Sequence, residues 1–154
     1  MGCGKSTILK KLRAETAMSK FSLIDLDDYI LQQHCEQEGS LADLIEKIGF
    51  PKFRELELEN IIKLSRTKNT ILALGGGSLS EQTIAILNEK GWSGHWLNTN
   101  FDICLARIRK SESTRPLAAR SDQDLQDLYQ ERKGQYSSYP SFTDYSQLLE
   151  ILKI

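Results

Sequence analysis

The residues of this chain most suited to chemistry stand at its start. Met1-Gly2-Cys3-Gly4-Lys5-Ser6-Thr7 matches the back half of a phosphate-binding loop, G-x-x-x-x-G-K-[ST], running into a helix. Glycines let backbone N–H groups close on phosphate oxygens with no Cβ in the way. A helix opening at Lys5 adds its own amide donors and the positive end of its dipole. The stretch from Gly2 through Cys3 and Gly4 to Thr7 would then line the phosphates. Lys5 would reach the β- and γ-phosphates, and the Ser6 hydroxyl would ligate Mg2+. The pattern's first glycine falls upstream of Met1, as does the strand that should feed the loop. The expectation is therefore a working protein that begins upstream, with the chain as written poorly folded and gripping phosphate weakly.

Three further clusters could serve such a loop. Asp25-Leu26-Asp27 closes a short apolar run, and two carboxylates so placed can divide labour between a metal and a bound substrate. The alternative is that one of them caps the helix starting near Asp28. Gly75-Gly76-Gly77 follows another apolar run directly; three glycines there suit close approach of backbone to a ligand. Phe53-Arg54-Glu55-Leu56-Glu57 puts an arginine on a helix whose apolar neighbours turn inward, either as an anion grip or as a solvated surface residue.

The elements that must position these groups alternate between the two periods. A helix from Lys5 to about Ala17 carries Ile8, Leu9 and Leu12 on one face. Phe21 to Ile24 reads as a strand, followed by a helix from Asp28 to about Cys35. Ser40 caps another helix with Asp43 in capping-box position. Pro51 suits a first helical turn, and the apolar positions from Phe53 to Leu64 predict one helix. Thr70 to Leu74 is a second strand. Ser80 opens a helix to about Lys90 that Gly91 closes. Gly94 to Leu97 reads as a weaker third strand, and Phe101 to about Lys110 as a helix. Residues 111–121 are polar, contain Arg115-Pro116, and read as an irregular flexible segment. Helices over about Asp122 to Tyr136 and Ser146 to Leu152 follow, and no last strand is legible between Tyr139 and Tyr145. Strands alternating with helices predict one α/β domain with a parallel sheet flanked by helices, and ligands gather at the carboxyl ends of such strands.

Composition narrows the function classes. Over 154 residues the net charge is −1, which gives no electrostatic case for nucleic acid or an anionic membrane. Cys3, Cys35 and Cys104 are odd in number and share no metal or redox spacing, which fits a reducing cytoplasm. No apolar run approaches a membrane span, and the chain opens on the loop with no room for a signal peptide. A cytoplasmic monomer with small-molecule ligands, no nucleic acid and no membrane is expected.

Taken in order, the half loop, Asp25-x-Asp27, Phe53-Arg54, Gly75-Gly76-Gly77, Arg115-Pro116-Leu117 and Glu131-Arg132-x-x-x-Tyr136 resemble shikimate kinase over nearly the whole chain. The resemblance implies a three-layer fold like P-loop NTPases and nucleoside-monophosphate kinases. It implies transfer of a phosphoryl group from ATP, with Mg2+, to the 3-hydroxyl of shikimate on the way to chorismate and the aromatic amino acids. On that resemblance Lys5 holds nucleotide phosphates, Ser6 ligates Mg2+, and Asp25 supports the metal through water. Asp27 binds shikimate hydroxyls and takes the reacting proton. Arg54 and Arg132 grip the shikimate carboxylate, and Gly75, Gly76 and Gly77 offer backbone N–H groups. Arg115 is the arginine of a lid at about 111–121 that reaches over the phosphates, and Arg109 stands beside the adenine. Residues 28–65 form the substrate-binding helical region. Two rivals stay open: a gluconate- or nucleoside-monophosphate-like kinase of the same architecture, and a catalytically dead binding remnant.

Overall fold

Where the apolar period of the chain changes from two to 3.6, strands hand over to helices. The computed structural model describes residues 2–34, 39–110, 117 and 119–153. In chain order these hold α1 (Lys5–Ala14), β1 (Ser22–Asp25), α2 (Leu26–His34), α3 (Leu41–Ile48), α4 (Phe50–Leu64), β2 (Thr70–Ala73), α5 (Glu81–Glu89), β3 (Trp96–Leu97), α6 (Phe101–Lys110), α7 (Asp122–Tyr136), β4 (Ser141–Phe142) and α8 (Tyr145–Leu152). Cys35 and Arg115, with most of the expected lid at 111–121, lie outside the described residues. The chain forms two compact units, Met1–Ile8 with Gly94–Ile154, and Leu9–Ser93.

In the unit Leu9–Ser93, β1 and β2 pair in parallel with Asp25 opposite Ala73. This register brings the end of β1 and the start of the glycine run to the same sheet edge. The helices cover a core of Leu26, Ile30, Leu44, Ile45, Phe53, Leu56, Ile61 and Leu64. Leu26, Ile30 and Ile61 are fully buried, and each such side chain contributes about 1.5–3 kcal/mol. Ser40 and Asp43 form the expected capping box at α3, and Ser80 caps α5 by accepting from the Thr83 N–H. Gly91, at φ +74°, follows α5 in the left-handed conformation that glycine tolerates. The Trp92 indole then donates to the Ser65 carbonyl at 3.0 Å, tying the loop after α5 to the end of α4.

Several elements differ from expectation. The first helix stops at Ala14 rather than about Ala17, because Glu15 is extended and a 3-10 turn over Thr16–Lys20 carries Met18 inward to burial. The helix expected from Asp28 begins at Leu26, so Asp27 lies in its first turn. The strand not legible after Tyr139 is β4.

In the other unit β3 and β4 pair in parallel, Trp96 with Ser141 and Leu97 with Phe142. The pairing buries Phe142, while Cys104, Ile108, Leu125 and Leu148 are buried from the helices. Gly94 passes so close to Tyr139 that a Cβ there would stand 2.8 Å from its ring. Helices α6 and α7 have the expected bounds, and Ser121 with Asp124 completes a second capping box.

Candidate active site

The phosphate loop is built from what its glycines permit. Gly2 and Gly4 have φ of +54° and +100°, a region side chains with a Cβ rarely adopt. A Cβ on Gly2 would stand 2.6 Å from the Cys104 carbonyl oxygen. The Ile8 N–H bonds the Gly4 carbonyl at 3.0 Å, so Gly4 is the helix cap and residues 5 to 7 form the opening turn. Backbone N–H groups of an opening turn have no intrahelical acceptor and favour anions. The carbonyls of the loop are held on their other side. Thr99 Oγ1 donates to the Cys3 carbonyl at 3.0 Å, and Arg107 Nη1 donates to the carbonyls of Gly2 and Cys3 at 3.1 and 3.0 Å. Sequence reasoning missed Arg107. Burial pushes the Cys104 thiol upward in pKa, with Cys3 adding in the same direction. The Tyr129 hydroxyl donates to the Thr99 carbonyl, and burial raises its pKa too.

Arg109, expected beside the adenine, bonds the Asp122 carboxylate through Nε at 3.0 Å and the Arg120 carbonyl through Nη2 at 2.7 Å. It ties the end of α6 to the start of α7. Arg132 lies half-buried on α7, in the unit that holds the loop.

The second cluster gathers at the edge where β1 and β2 end. Asp25 is buried, and its Oδ1 accepts the Asp27 N–H at 3.2 Å. This is the geometry of a helix cap, so the capping alternative falls to Asp25 rather than Asp27. Residues 75–78 make a turn closed by the Ser78 N–H on the Gly75 carbonyl at 3.1 Å. A Cβ on Gly75 would stand 3.2 Å from Asp27 Oδ1 and 3.5 Å from Glu57 Oε1. On Gly77 it would stand 2.8 Å from the Arg54 Cζ. The turn thus packs against carboxylates at Gly75 and against a guanidinium at Gly77. Arg54 is partly exposed and forms an ion pair with Glu57, whose other oxygen accepts from Ser78 Oγ at 2.5 Å.

Asp27, Arg54, Gly75 and Gly77 therefore come together beside the ends of β1 and β2. Glu57 and Ser78 were missed. A signal for Glu57 existed: it stands on the inward stripe of α4 with Phe53, Leu56 and Ile61, where a carboxylate needs a partner.

A magnesium ion fits this donor set in one way. Among the described residues no three His, Cys, Asp or Glu side chains stand close enough to cage a metal. Mg2+ instead suits sites made of one or two protein oxygens, waters and substrate phosphates. In the loop's own unit, the Ser6 hydroxyl in the opening turn of α1 is a donor of that kind.

A family model described as shikimate kinase matches residues 1–150. A shikimate kinase of Sulfurihydrogenibium sp. is 32% identical over 137 residues, 88% of this chain and 78% of that protein. Another, from Caldanaerobacter subterraneus subsp. tengcongensis, is 32% identical over 148 residues, covering 95% and 80%. Among solved structures, shikimate kinase of Acinetobacter baumannii in complex with shikimate aligns at a TM-score of 0.81. It is 23% identical, and the alignment covers 99% of this chain and 87% of that one. The Bacteroides thetaiotaomicron enzyme aligns at 0.74 with 22% identity, over 100% and 94% of the two chains. These structures share the P-loop α/β fold, and the chain belongs to the shikimate kinase family.

Proposed function

We propose that the chain transfers the γ-phosphoryl group of ATP to the 3-hydroxyl of shikimate. The observation that carries this reading is the convergence of Asp27 and Arg54 on one glycine turn. A guanidinium fork suits a planar carboxylate, and a carboxylate suits a hydroxyl that must lose its proton. Family membership supplies the nucleotide and the metal.

Each residue then has a role in positioning and charge neutralisation, which dominate phosphoryl transfer. Lys5 and the amides from Gly2 to Thr7 hold the phosphates. Ser6 would ligate Mg2+ and Asp25 would support it through water, and the ion would supply neutralisation of phosphate charge. Asp27 orients the acceptor hydroxyl and takes its proton. Arg54 and Arg132 grip the acceptor carboxylate, and the turn at 75–77 offers backbone N–H groups beside it. Arg115 closes over the phosphates from the lid at about 111–121. Arg109 borders the base, its guanidinium braced by Asp122.

The enzyme works as a cytoplasmic monomer without membrane or nucleic-acid contacts; no helix among the described residues is long and apolar enough to cross a membrane. The test offers ATP with shikimate, gluconate or nucleoside monophosphates. Phosphate on shikimate is expected. Turnover on another acceptor with none on shikimate overturns the reading, and calorimetry showing binding of ATP analogue or shikimate without turnover identifies a binding remnant.

A further inference from the structure

Glu57 is a buried carboxylate with two different partners. Its exposure is 3%. One oxygen pairs with the Arg54 guanidinium, and the other accepts the Ser78 hydroxyl at 2.5 Å. Ser78 is 5% exposed, stands 21 positions further along the chain, and closes the 75–78 turn through its own N–H. Two elements distant in sequence, α4 and the glycine turn, are thus joined through one side chain. The groups facing that carboxylate are Arg54, Ser78 and the turn itself, and a Cβ on Gly75 would meet both Glu57 Oε1 and Asp27 Oδ1.

We propose that Ser78 is a positioning residue: through Glu57 it fixes the angle at which Arg54 meets the glycine turn, and so sets acceptor affinity. The proposal rests on the acceptor reading above. A buried carboxylate satisfies both oxygens wherever it can. With the Ser78 hydroxyl in place, only one oxygen of Glu57 is left for Arg54, so the guanidinium lies along the turn with its second nitrogen over Gly77. Without the hydroxyl, the carboxylate lowers its energy by turning both oxygens onto the guanidinium in a bidentate pair. Arg54 then leaves Gly77 and stops presenting its fork beside the turn. The loss falls on the acceptor, because the Ser78 hydroxyl acts on Glu57 and its N–H on the glycine turn.

The experiment is a double-mutant cycle of Ser78→Ala and Arg54→Ala. Loss of a hydrogen bond to a charged group predicts that Ser78→Ala raises KM for shikimate by about tenfold. The KM for ATP stays unchanged, and kcat stays within about twofold. In the Arg54→Ala background the same change adds almost nothing, because its effect passes through Arg54. Fold-changes that multiply independently overturn the proposal, as does an equal rise in both KM values. The cycle is also read without ligand, as Tm. Less-than-additive Tm losses support coupling, and additive losses refute it even if wild type leaves shikimate untouched, an outcome that sinks only the acceptor reading. Should Ser78→Ala fail to fold, Glu57→Gln carries the same cycle: it keeps an oxygen for Ser78 and removes the charge that holds Arg54.

Discussion

Arg107 and Cys3, 104 positions apart, are joined by a 3.0 Å hydrogen bond from guanidinium Nη1 to main-chain carbonyl. With the same nitrogen on the Gly2 carbonyl, the loop's oxygens are held by a cation on one side. The opening turn of α1 keeps its amides for the other. Arg107→Ala should raise KM for ATP by about tenfold, the scale of a charge-assisted bond, and leave KM for shikimate unchanged. Arg107→Lys should recover only part of the loss, since an ammonium lacks the planar fork. Steady-state kinetics with each substrate varied decides the point; equal change in both KM values refutes it.

Gly77→Ala tests the other end of the site. Its φ lies outside the positive range that strains side chains, yet the new Cβ would overlap the Arg54 guanidinium. The expected outcome is a rise of roughly tenfold in KM for shikimate, with Tm lowered by only a few degrees because Arg54 is partly exposed and can move. Unchanged KM would mean that Arg54 does not act from this position.

Asp27→Asn keeps the size of the side chain and removes its basicity. Turnover should fall by about 10²-fold or more, the usual scale for a positioned base, while ATP affinity measured by calorimetry barely changes. Unchanged kcat would leave Asp27 without a proton-transfer role.

Arg115→Ala should lower kcat more than it weakens ATP binding, because a lid arginine gains contact as charge develops on the transferring group. A loss of up to roughly 10³-fold is within reach of such a residue. Equal loss in kcat and in binding would indicate uniform binding instead.

The two capping boxes predict an acid limb of stability. Bonds from the Ser40 N–H and hydroxyl hold the Asp43 carboxyl below its ordinary value of 3.8, and the Ser121 hydroxyl and N–H do the same for Asp124. A carboxyl depressed in the folded state stabilises fully above its ordinary pKa and loses that contribution as pH falls through the folded one. Tm should therefore decline as pH drops below about 4. The paired substitution Asp43→Asn and Asp124→Asn should flatten that decline; an unaltered slope would assign the acid limb to other groups.

What was legible in the sequence was what local chemistry determines. Helix α7 starts where expected because its capping box, Ser121 with Asp124, acts within a few positions. β4 was not legible because two residues carry no period, and only its pairing with β3 makes it a strand. The choice between Arg107 and Arg109 shows the same limit. Two residues apart on a helix they face different ways, and Arg107 shares the face of buried Cys104 three positions earlier. Asp25 and Asp27 were visible as a pair, but which one caps depended on α2 starting at Leu26.

The buried Glu57 has a consequence for the timing of order in the site. A long side chain that waits for its ligand surrenders rotamer freedom on binding, typically about 0.5–1.5 kcal/mol. Arg54 is seated when the chain folds, by Glu57 on one side and the absent Cβ of Gly77 on the other. Its entropy is spent in advance, and on the proposed acceptor reading an arriving carboxylate would meet a fork already set. Its charge is also partly answered before any ligand comes, which favours ready departure of product over very tight capture.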